Sequence, residues 1–156
     1  MNIEADIQKP NIEHPKRKVE GFNCQKSEVS GRRLWGYFGA KFNNADAFFK
    51  DHFVANYCPL VFMEESGKNF TPDKLPNNEK ERLFNLCDKY LADCVEILKP
   101  EWLIGICRFA EKCAQRALKE KKIRIGHILH PSPASPAANR GWAEAAERQL
   151  SDLGLQ

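Results

Sequence analysis

Hydrophobic residues recur at three- and four-residue spacing in several parts of the chain, a pattern typical of helices with one buried face. The first such stretch contains a cluster of aromatic residues and has Ser27 or Ser30 as its expected N-cap. A short second helix is predicted over residues 45–50, a later one over 109–119 and a final one over 140–152. The pattern therefore predicts a chain rich in amphipathic helices.

The clearest predicted helix begins at Asn78, where Asn78-Glu79-Lys80-Glu81 has the spacing of a capping box. Pro100 is expected to end this helix, because proline lacks the N–H that a helix needs. Its apolar residues fall on one stripe, which we expect to be buried: Leu83, Leu86, Cys87, Tyr90, Leu91, Cys94, Ile97 and Leu98.

Three apolar runs are predicted to be strands. The first covers residues 52–58, is halted by Pro59 and has a short apolar extension over 60–63. The run over 102–107 is nearly continuous, as in a strand covered on both faces, and the third covers 123–129. A strand, helix, strand order implies a right-handed crossover and a parallel sheet. We therefore expect an α/β fold, specifically a three-layer α/β/α sandwich with a short parallel sheet.

Composition and charge limit the function classes. The 156 residues are 42% hydrophobic and 29% charged, which fits one globular domain of ordinary soluble composition. No apolar stretch approaches the roughly 20 residues of a membrane helix, and the first ten residues do not resemble a signal peptide, so we expect an intracellular protein without a membrane partner. The six cysteines include no Cys-x-x-Cys pair, which argues against zinc, iron–sulfur and disulfide frameworks. A net charge of +3 is too balanced to indicate a nucleic-acid-binding protein by itself.

The chain divides into an irregular, polar lead-in over residues 1–25 and a single domain over residues 26–156. The lead-in contains one basic cluster, His14-Pro15-Lys16-Arg17-Lys18. Such a cluster can contact phosphate or act as a nuclear localisation signal, but short basic runs are more often simply solvated.

Two polar residues lie where open parallel sheets bind ligands, beyond the carboxyl ends of the strands. Asn56 is near the end of the first predicted strand, and His130 directly follows the third. Taken alone, each is more often structural, as a hydrogen-bonded amide or a loop histidine. His52 and His127 lie within predicted strands and are interpreted as structural.

The residues after His130 favour a functional loop. The segment His130-Pro131-Ser132-Pro133 is followed by Pro136 and then by Asn139-Arg140-Gly141-Trp142. Three prolines restrict the backbone before any partner binds, which lowers the cost of ordering a loop that enters another molecule. We therefore expect a stiff loop that presents a histidine and leads into a helix.

Four segments of the chain, in order, resemble one known family. They are Glu13-His14-Pro15-Lys16-Arg17, Ser27-Glu28-Val29-Ser30-Gly31, Asn56-Tyr57-Cys58-Pro59-Leu60, and the loop from His130 to Trp142. From about Glu13 onward the chain is similar to the single-strand-selective monofunctional uracil-DNA glycosylases, a family of the uracil-DNA glycosylase superfamily. The His-Pro-Ser-Pro motif alone would indicate only the superfamily.

This resemblance implies a role in DNA base-excision repair. The reaction is hydrolysis of the bond that joins uracil, or a 5-substituted uracil such as 5-hydroxymethyluracil, to deoxyribose after the base is flipped out of single- or double-stranded DNA. The resemblance implies no metal, no cofactor, a monomer and a nuclear location. Asn56 is expected to read the extruded base and His130 to stabilise the departing one. The loop is expected to contact DNA through Pro131, Ser132, Pro133, Ala134, Ser135, Asn139, Arg140, Gly141 and Trp142.

The chain also departs from the family pattern. Family members carry an upstream Gly-Met-Asn-Pro-Gly-Pro-Phe-Gly-Met segment that supplies the water-positioning asparagine, a stacking phenylalanine ring and the first strand, and nothing in residues 1–13 resembles it. We therefore expect a fold without its N-terminal strand and a chain with little activity. Ala134-Ser135 stand where relatives have Arg-Asn, which should weaken contact with DNA. The alternatives are a non-catalytic DNA-binding fragment of the same family and an unstable, inactive product.

Overall fold

The computed structural model describes residues 6–155, so the first five residues of the predicted lead-in lie outside the described residues. Its α-helices are α1 Val29–Phe42, α2 Ala45–Phe49, α3 Asn77–Leu98, α4 Arg108–Ala117, α5 Pro136–Asn139 and α6 Trp142–Asp152. Its strands are β1 Trp102–Ile106 and β2 Arg124–Ile128, and short 3-10 turns cover Gly21–Asn23 and Pro72–Lys74. Within this part of the chain, no helix has both the length and the hydropathy needed to cross a membrane.

The two strands form a short parallel sheet. Trp102 lies opposite Arg124, and Ile106 lies opposite Ile128. Helix α4 connects the two strands and packs against both. The predicted strands over 102–107 and 123–129, their parallel pairing and the α/β class are therefore confirmed.

Two strand glycines allow close packing on the sheet. A Cβ atom at Gly105 would lie 2.5 Å from the backbone nitrogen of Glu111 in α4, whereas one at Gly126 would lie 2.6 Å from the Leu153 side chain just after α6. The two glycines are one position apart in the strand register, and alternate residues of a strand face opposite sides. Helix α4 therefore packs on one face and the end of α6 on the other. The complete three-layer sandwich stays a prediction.

The main hydrophobic core forms on the α6 face of the sheet. Trp142 is only 3% exposed there, and its indole N–H donates to the Leu129 carbonyl at 2.7 Å. Helix α1 covers this core from outside through Leu34 and its aromatic neighbours. The buried members are Leu34, Ile128, Ala138, Trp142, Ala146 and Leu150.

The predicted strand over residues 52–58 is wrong. Within the described residues this segment has no strand pairing, and the Phe53 side chain is 62% exposed. An apolar run becomes a strand only when a neighbouring strand supplies its backbone hydrogen bonds, and both β1 and β2 pair only with each other here. Asn56 therefore lies in an irregular segment, and the predicted extension over 60–63 contributes only the isolated bridge of Met63 with Asn69.

Several predicted helix boundaries also change. Helix α1 has Glu28 as its N-cap rather than Ser27 or Ser30, and neither serine caps it. Helix α3 begins at Asn77 without a side-chain cap, so the expected capping box does not form. The predicted final helix over 140–152 is confirmed as α6, which begins two residues later at Trp142, and the short helix α5 precedes it within the predicted loop.

The predicted buried stripe of α3 is only partly correct. Cys87 and Val95 are buried, but Leu86 is 67% exposed and Ile97 is 78% exposed. Helix α4 packs along one side of α3 and covers only the residues that face it. The periodicity therefore gives the helix correctly but overstates the width of its buried face.

The basic cluster of the lead-in forms a turn that contacts a neighbouring loop. His14 and Arg17 form an isolated antiparallel bridge, and Arg17 donates from Nε to the Gly67 carbonyl at 2.9 Å. Glu13 accepts a hydrogen bond from the backbone N–H of Val19 at 2.6 Å. This part of the lead-in is thus held by specific hydrogen bonds.

Candidate functional site

His130 is exposed two residues after the end of β2, and one hydrogen bond fixes the tautomer of its ring. The backbone N–H of Ser132 donates to His130 Nδ1 at 3.1 Å. An Nδ1 atom that accepts a hydrogen bond carries no proton, so the proton of the neutral ring is on Nε2. The exposed edge of His130 therefore presents an N–H donor to an incoming molecule.

The loop after His130 is closed by its own hydrogen bonds. The Ser132 hydroxyl accepts from the Ala134 N–H at 3.1 Å, and the Ser135 N–H donates to the Ser132 carbonyl at 3.0 Å. The Ser135 hydroxyl in turn accepts from the Ala138 N–H at 3.4 Å as the N-cap of α5, and Pro136 occupies its first turn. Ser135 therefore serves to begin a helix at the position where the family pattern has asparagine.

Arg33 of α1 also holds this loop, and sequence reasoning did not find it. Its Nη1 donates to the carbonyls of Pro131 at 3.0 Å and Ser132 at 3.3 Å. Its Nη2 donates to Asn139 Oδ1 at 2.8 Å. The sequence signal was weak, because Arg33 is one of two adjacent arginines and lies about a hundred positions from its partners.

Three of the residues predicted to contact DNA instead have roles within the protein itself. Asn139 accepts from Arg33 and donates from Nδ2 to the Pro133 carbonyl at 2.9 Å, so both ends of its amide are engaged. Trp142 is buried in the core. Gly141 has a φ of 131° that favours glycine, and a Cβ atom there would lie 2.8 Å from Glu144 Oε2.

The remaining loop residues differ in their exposure to solvent. Pro133 and Ala134 are exposed at its tip, and the Arg140 side chain is exposed at its end. Pro131 is buried, while Ser132 and Ser135 are half-buried. The loop thus presents a small, largely apolar tip beside one cation.

Asn56, the second predicted site residue, is exposed. Within residues 6–155, no hydrogen bond involves its side chain and none joins it to His130. Its free amide can offer one acceptor and two donors to another molecule. The position of that amide therefore depends on how the neighbouring residues are anchored.

Tyr57 provides that anchor through a network with α3 and α4. Its hydroxyl donates to Asp88 Oδ1 at 2.6 Å and accepts from Arg116 Nη2 at 2.8 Å. Arg116 also binds Asp88 in a bidentate pair, with Nε 2.6 Å from Oδ2 and Nη2 2.8 Å from Oδ1. The Tyr57 ring packs edge-on against Phe84 and Phe109. The residue after Asn56 is therefore fixed by both polar and aromatic contacts.

The pKa values of Tyr57 and Asp88 are consistent with the hydrogen bonds between them. Burial, followed by the hydrogen bond to Asp88, raises the pKa of Tyr57 well above its usual value, so the hydroxyl keeps its proton. Burial alone would raise the pKa of Asp88, but the hydrogen bonds from Arg116 and Tyr57 outweigh it and lower that pKa below 3.8. Asp88 is therefore an anionic acceptor at neutral pH.

Cys58 extends the anchor onto α3. Burial, together with a side-chain hydrogen bond with Cys58, raises the pKa of Cys87 to about 11. Such a thiol stays protonated at neutral pH and is a poor nucleophile or metal ligand. All six cysteines are free, and in the part of the chain that the structure describes no three His, Cys, Asp or Glu side chains converge as metal ligands would.

We predict that Asp88→Asn destabilises the chain at neutral pH by about 1 to 2 kcal/mol. The substitution removes the charge from a hydrogen-bonded pair, and half-exposed Arg116 keeps the loss moderate. Because the pKa of Asp88 is lowered on folding, its stabilising contribution is present above pH 3.8 and is lost as the pH falls through the folded-state pKa. Urea unfolding at pH 7 and near pH 3 should show a difference that shrinks at the lower pH.

Glu96→Gln is the matched control for this prediction. It removes an equal charge from an exposed pair with Lys121, in which Glu96 is 74% exposed. We expect a change below about 0.5 kcal/mol. A destabilisation by Asp88→Asn no larger than this, or one equally large at both pH values, would contradict the proposed anchor.

Comparisons with known proteins match the resemblance noted in the sequence. No protein-family profile matches the chain. The chain is 43% identical over 157 aligned positions to the rat protein named single-strand selective monofunctional uracil-DNA glycosylase, and 41% identical to the proteins of that name from cow and mouse. Each match covers 99% of this chain but only 56%, 58% and 56%, respectively, of the rat, cow and mouse proteins. The resemblance is thereby confirmed over almost the whole chain, which spans somewhat more than half the length of these relatives.

Proposed function

We propose that this chain forms the base-recognition and leaving-group part of a uracil-DNA glycosylase that acts in DNA repair. The observation that carries the proposal is the hydrogen bond from the Ser132 N–H to Nδ1 of the exposed His130 ring, which leaves Nε2 without a partner in the described residues. The names of the relatives support it, since all three are uracil-DNA glycosylases. Excision of uracil or of 5-substituted uracils by this chain is part of the proposal.

His130 would act on the charge that develops as the base departs. Breaking the glycosidic bond places negative charge on the uracil oxygens and positive charge on the sugar. An N–H donor already aimed at O2 stabilises that charge without further reorganisation, an effect worth roughly 3 to 4 kcal/mol for a comparable oxyanion donor. The loop that fixes the His130 ring therefore contributes directly to the proposed chemistry.

Asn56 would select the base. Uracil presents an N3–H donor beside an O4 acceptor, and an amide offers the complementary acceptor and donor. Cytosine presents the reverse pattern, so it would leave buried polar groups unpaired. Mismatches of this kind can be rejected by a factor on the order of 10⁴ to 10⁵.

The exposed part of the loop would contact DNA where the base has been flipped out. Pro133 and Ala134 form a narrow tip, and Arg140 supplies a cation for the phosphate backbone. Ser132 and Ser135 lie beneath that tip and shape it. For Asn139, Gly141 and Trp142 we propose a supporting role, because their contacts lie within the protein.

The remaining features of the proposal follow from the family resemblance. We propose that the chain acts on uracil in single- and double-stranded DNA, as a monomer located in the nucleus. We also propose that it needs neither metal nor cofactor. Its two-stranded sheet would form part of a three-layer α/β/α sandwich.

A non-catalytic DNA-binding role is the second candidate. It rests on one observation, namely that residues 1–13 do not resemble the segment to which the family resemblance assigns the water-positioning asparagine. Such a protein would bind DNA with a strong salt dependence and would release no uracil. A uracil-release assay combined with a gel shift at several salt concentrations separates the two roles.

We predict that Asn56→Asp lowers uracil excision at least tenfold in a longer version that joins this chain to the N-terminal portion of the rat relative. A carboxylate keeps the contact to N3–H but repels the lone pairs of O4. Single-turnover kinetics on a uracil-containing oligonucleotide measure the effect. Asn78→Asp introduces the same charge at an exposed position of α3 and should leave the rate unchanged.

Equal rates for Asn56→Asp and the unmodified longer version would remove Asn56 from the site. A similar loss in the Asn78→Asp control would instead indicate a general effect of added negative charge on DNA binding.

His130→Leu in the same longer version should lower the single-turnover rate by roughly a hundredfold while DNA affinity stays nearly constant. The lost interaction forms mainly in the transition state, so its loss belongs to the chemical step. The control is His14→Leu, since Lys16 N–H donates to His14 Nδ1 at 3.2 Å in the same His-Pro-x arrangement. Weaker DNA binding at an unchanged rate would make His130 a binding residue only.

The 156-residue chain alone should release uracil slowly, by roughly a hundredfold or more relative to the longer version. Loss of a group that positions water and of a ring that holds the base commonly costs powers of ten each. The assay compares both purified proteins on the same oligonucleotide. Comparable turnover would mean that other residues carry the reaction.

A further inference from the structure

The peptide group between Pro131 and Ser132 is held from both sides. Its carbonyl accepts from Arg33 Nη1 at 3.0 Å, and its N–H donates to His130 Nδ1 at 3.1 Å. Arg33 and His130 thus bind opposite edges of one planar unit. No other arginine or lysine side chain in the described residues hydrogen-bonds to this loop.

This arrangement couples the orientation of the two side chains. A peptide group is planar, so fixing the direction of its C=O also fixes the direction of its N–H. A hydrogen bond to the carbonyl also polarises the group and strengthens its N–H as a donor. Arg33 therefore affects both where the His130 ring points and how firmly its Nδ1 is occupied.

A second His-Pro segment in the chain shows the same local hydrogen bond without an arginine on the proline carbonyl. His14, Pro15 and Lys16 form the same local bond, from Lys16 N–H to His14 Nδ1, at 3.2 Å. Within the described residues no side chain donates to the Pro15 carbonyl. The His-Pro-x sequence therefore produces the bond by itself, and Arg33 is an addition specific to His130.

We propose that Arg33 is a positioning residue for His130, which it holds in the orientation that presents Nε2–H to the departing base. The catalytic part of this inference rests on the function proposed above. Arginine suits the role because its fork reaches the Pro131 and Ser132 carbonyls and Asn139 at once, which a single ammonium group does not. In residues 6–155 no carboxylate pairs with Arg33, so its donors are committed to the loop.

The first test is independent of activity. In the isotope-labelled 156-residue chain, hydrogen exchange of the Ser132 amide and the ¹⁵N shift of His130 Nδ1 both report the bond between them. Arg33→Ala should speed Ser132 exchange roughly tenfold, the effect of about one lost hydrogen bond, and shift the Nδ1 resonance. Lys16 exchange should not change. Arg32→Ala is the matched control, since Arg32 donates to the Ser27 carbonyl at 3.1 Å instead.

Arg33→Lys should give an intermediate result and carries the test alone if Arg33→Ala does not fold. Ser132 exchange as slow as in the unmodified chain, in whichever of these variants folds, would overturn the inference. So would equal acceleration of Ser132 in Arg32→Ala.

The second test uses single-turnover uracil release by the longer version. Arg33→Ala should slow the reaction roughly tenfold with unchanged DNA affinity, and should slow it no further when His130 is already Leu. Additive losses would show that Arg33 acts independently of His130 and would overturn its positioning role. If the longer version releases no uracil, the proposed function fails, while the exchange experiment still decides whether Arg33 holds the His130 ring.

Discussion

The planar peptide group between Pro131 and Ser132 connects helix α1 to His130, which lies in the loop beyond the carboxyl end of β2. Arg33 holds its carbonyl and His130 Nδ1 accepts from its N–H, so the ring is set by a unit that cannot rotate internally. The rest of the loop supports this unit. Trp142 fixes the start of α6 against Leu129, and Asn139 links Arg33 to Pro133. His130 is thereby held in one orientation although its side chain is exposed.

Asn56 is also an exposed residue whose position is fixed by contacts of its neighbour in the sequence, but the anchoring groups differ. Its own side chain is exposed and makes no hydrogen bond within the described part of the chain, while Tyr57 is fixed by Asp88 and Arg116. The bidentate pair keeps Asp88 ionised, and the Tyr57 hydroxyl lies 2.6 Å from Asp88 Oδ1 and 3.2 Å from the Phe84 carbonyl, a second possible acceptor. In both places, the residue that meets the substrate in our proposal is exposed, and neighbouring residues in the sequence carry the anchoring contacts. Different residues would therefore bind the substrate and stabilise the fold.

The sequence was most informative where a segment determines its own structure. Apolar periodicity was sufficient for α3, α4 and the two paired strands, because those patterns reflect packing against nearby elements. It failed over residues 52–58, where strand formation depends on a partner strand that the local pattern does not encode. Arg33 was missed for a related reason, since its partners lie 98 to 106 positions away and no local spacing indicates them. The motif around His130 indicated a candidate site residue, and the structure adds that its Nδ1 accepts a hydrogen bond from the Ser132 N–H.

In the function proposed above, His130 and Asn56 bind one flipped uracil, although no hydrogen bond joins them in the described residues. The most direct test is the structure of the longer version bound to DNA that contains a non-hydrolysable 2′-fluoro-deoxyuridine. We expect His130 Nε2 about 2.7 to 3.1 Å from uracil O2, and the Asn56 amide paired with N3 and O4 of the same base. A uracil bound without contact to either side chain, or with O2 facing a different donor, would contradict it.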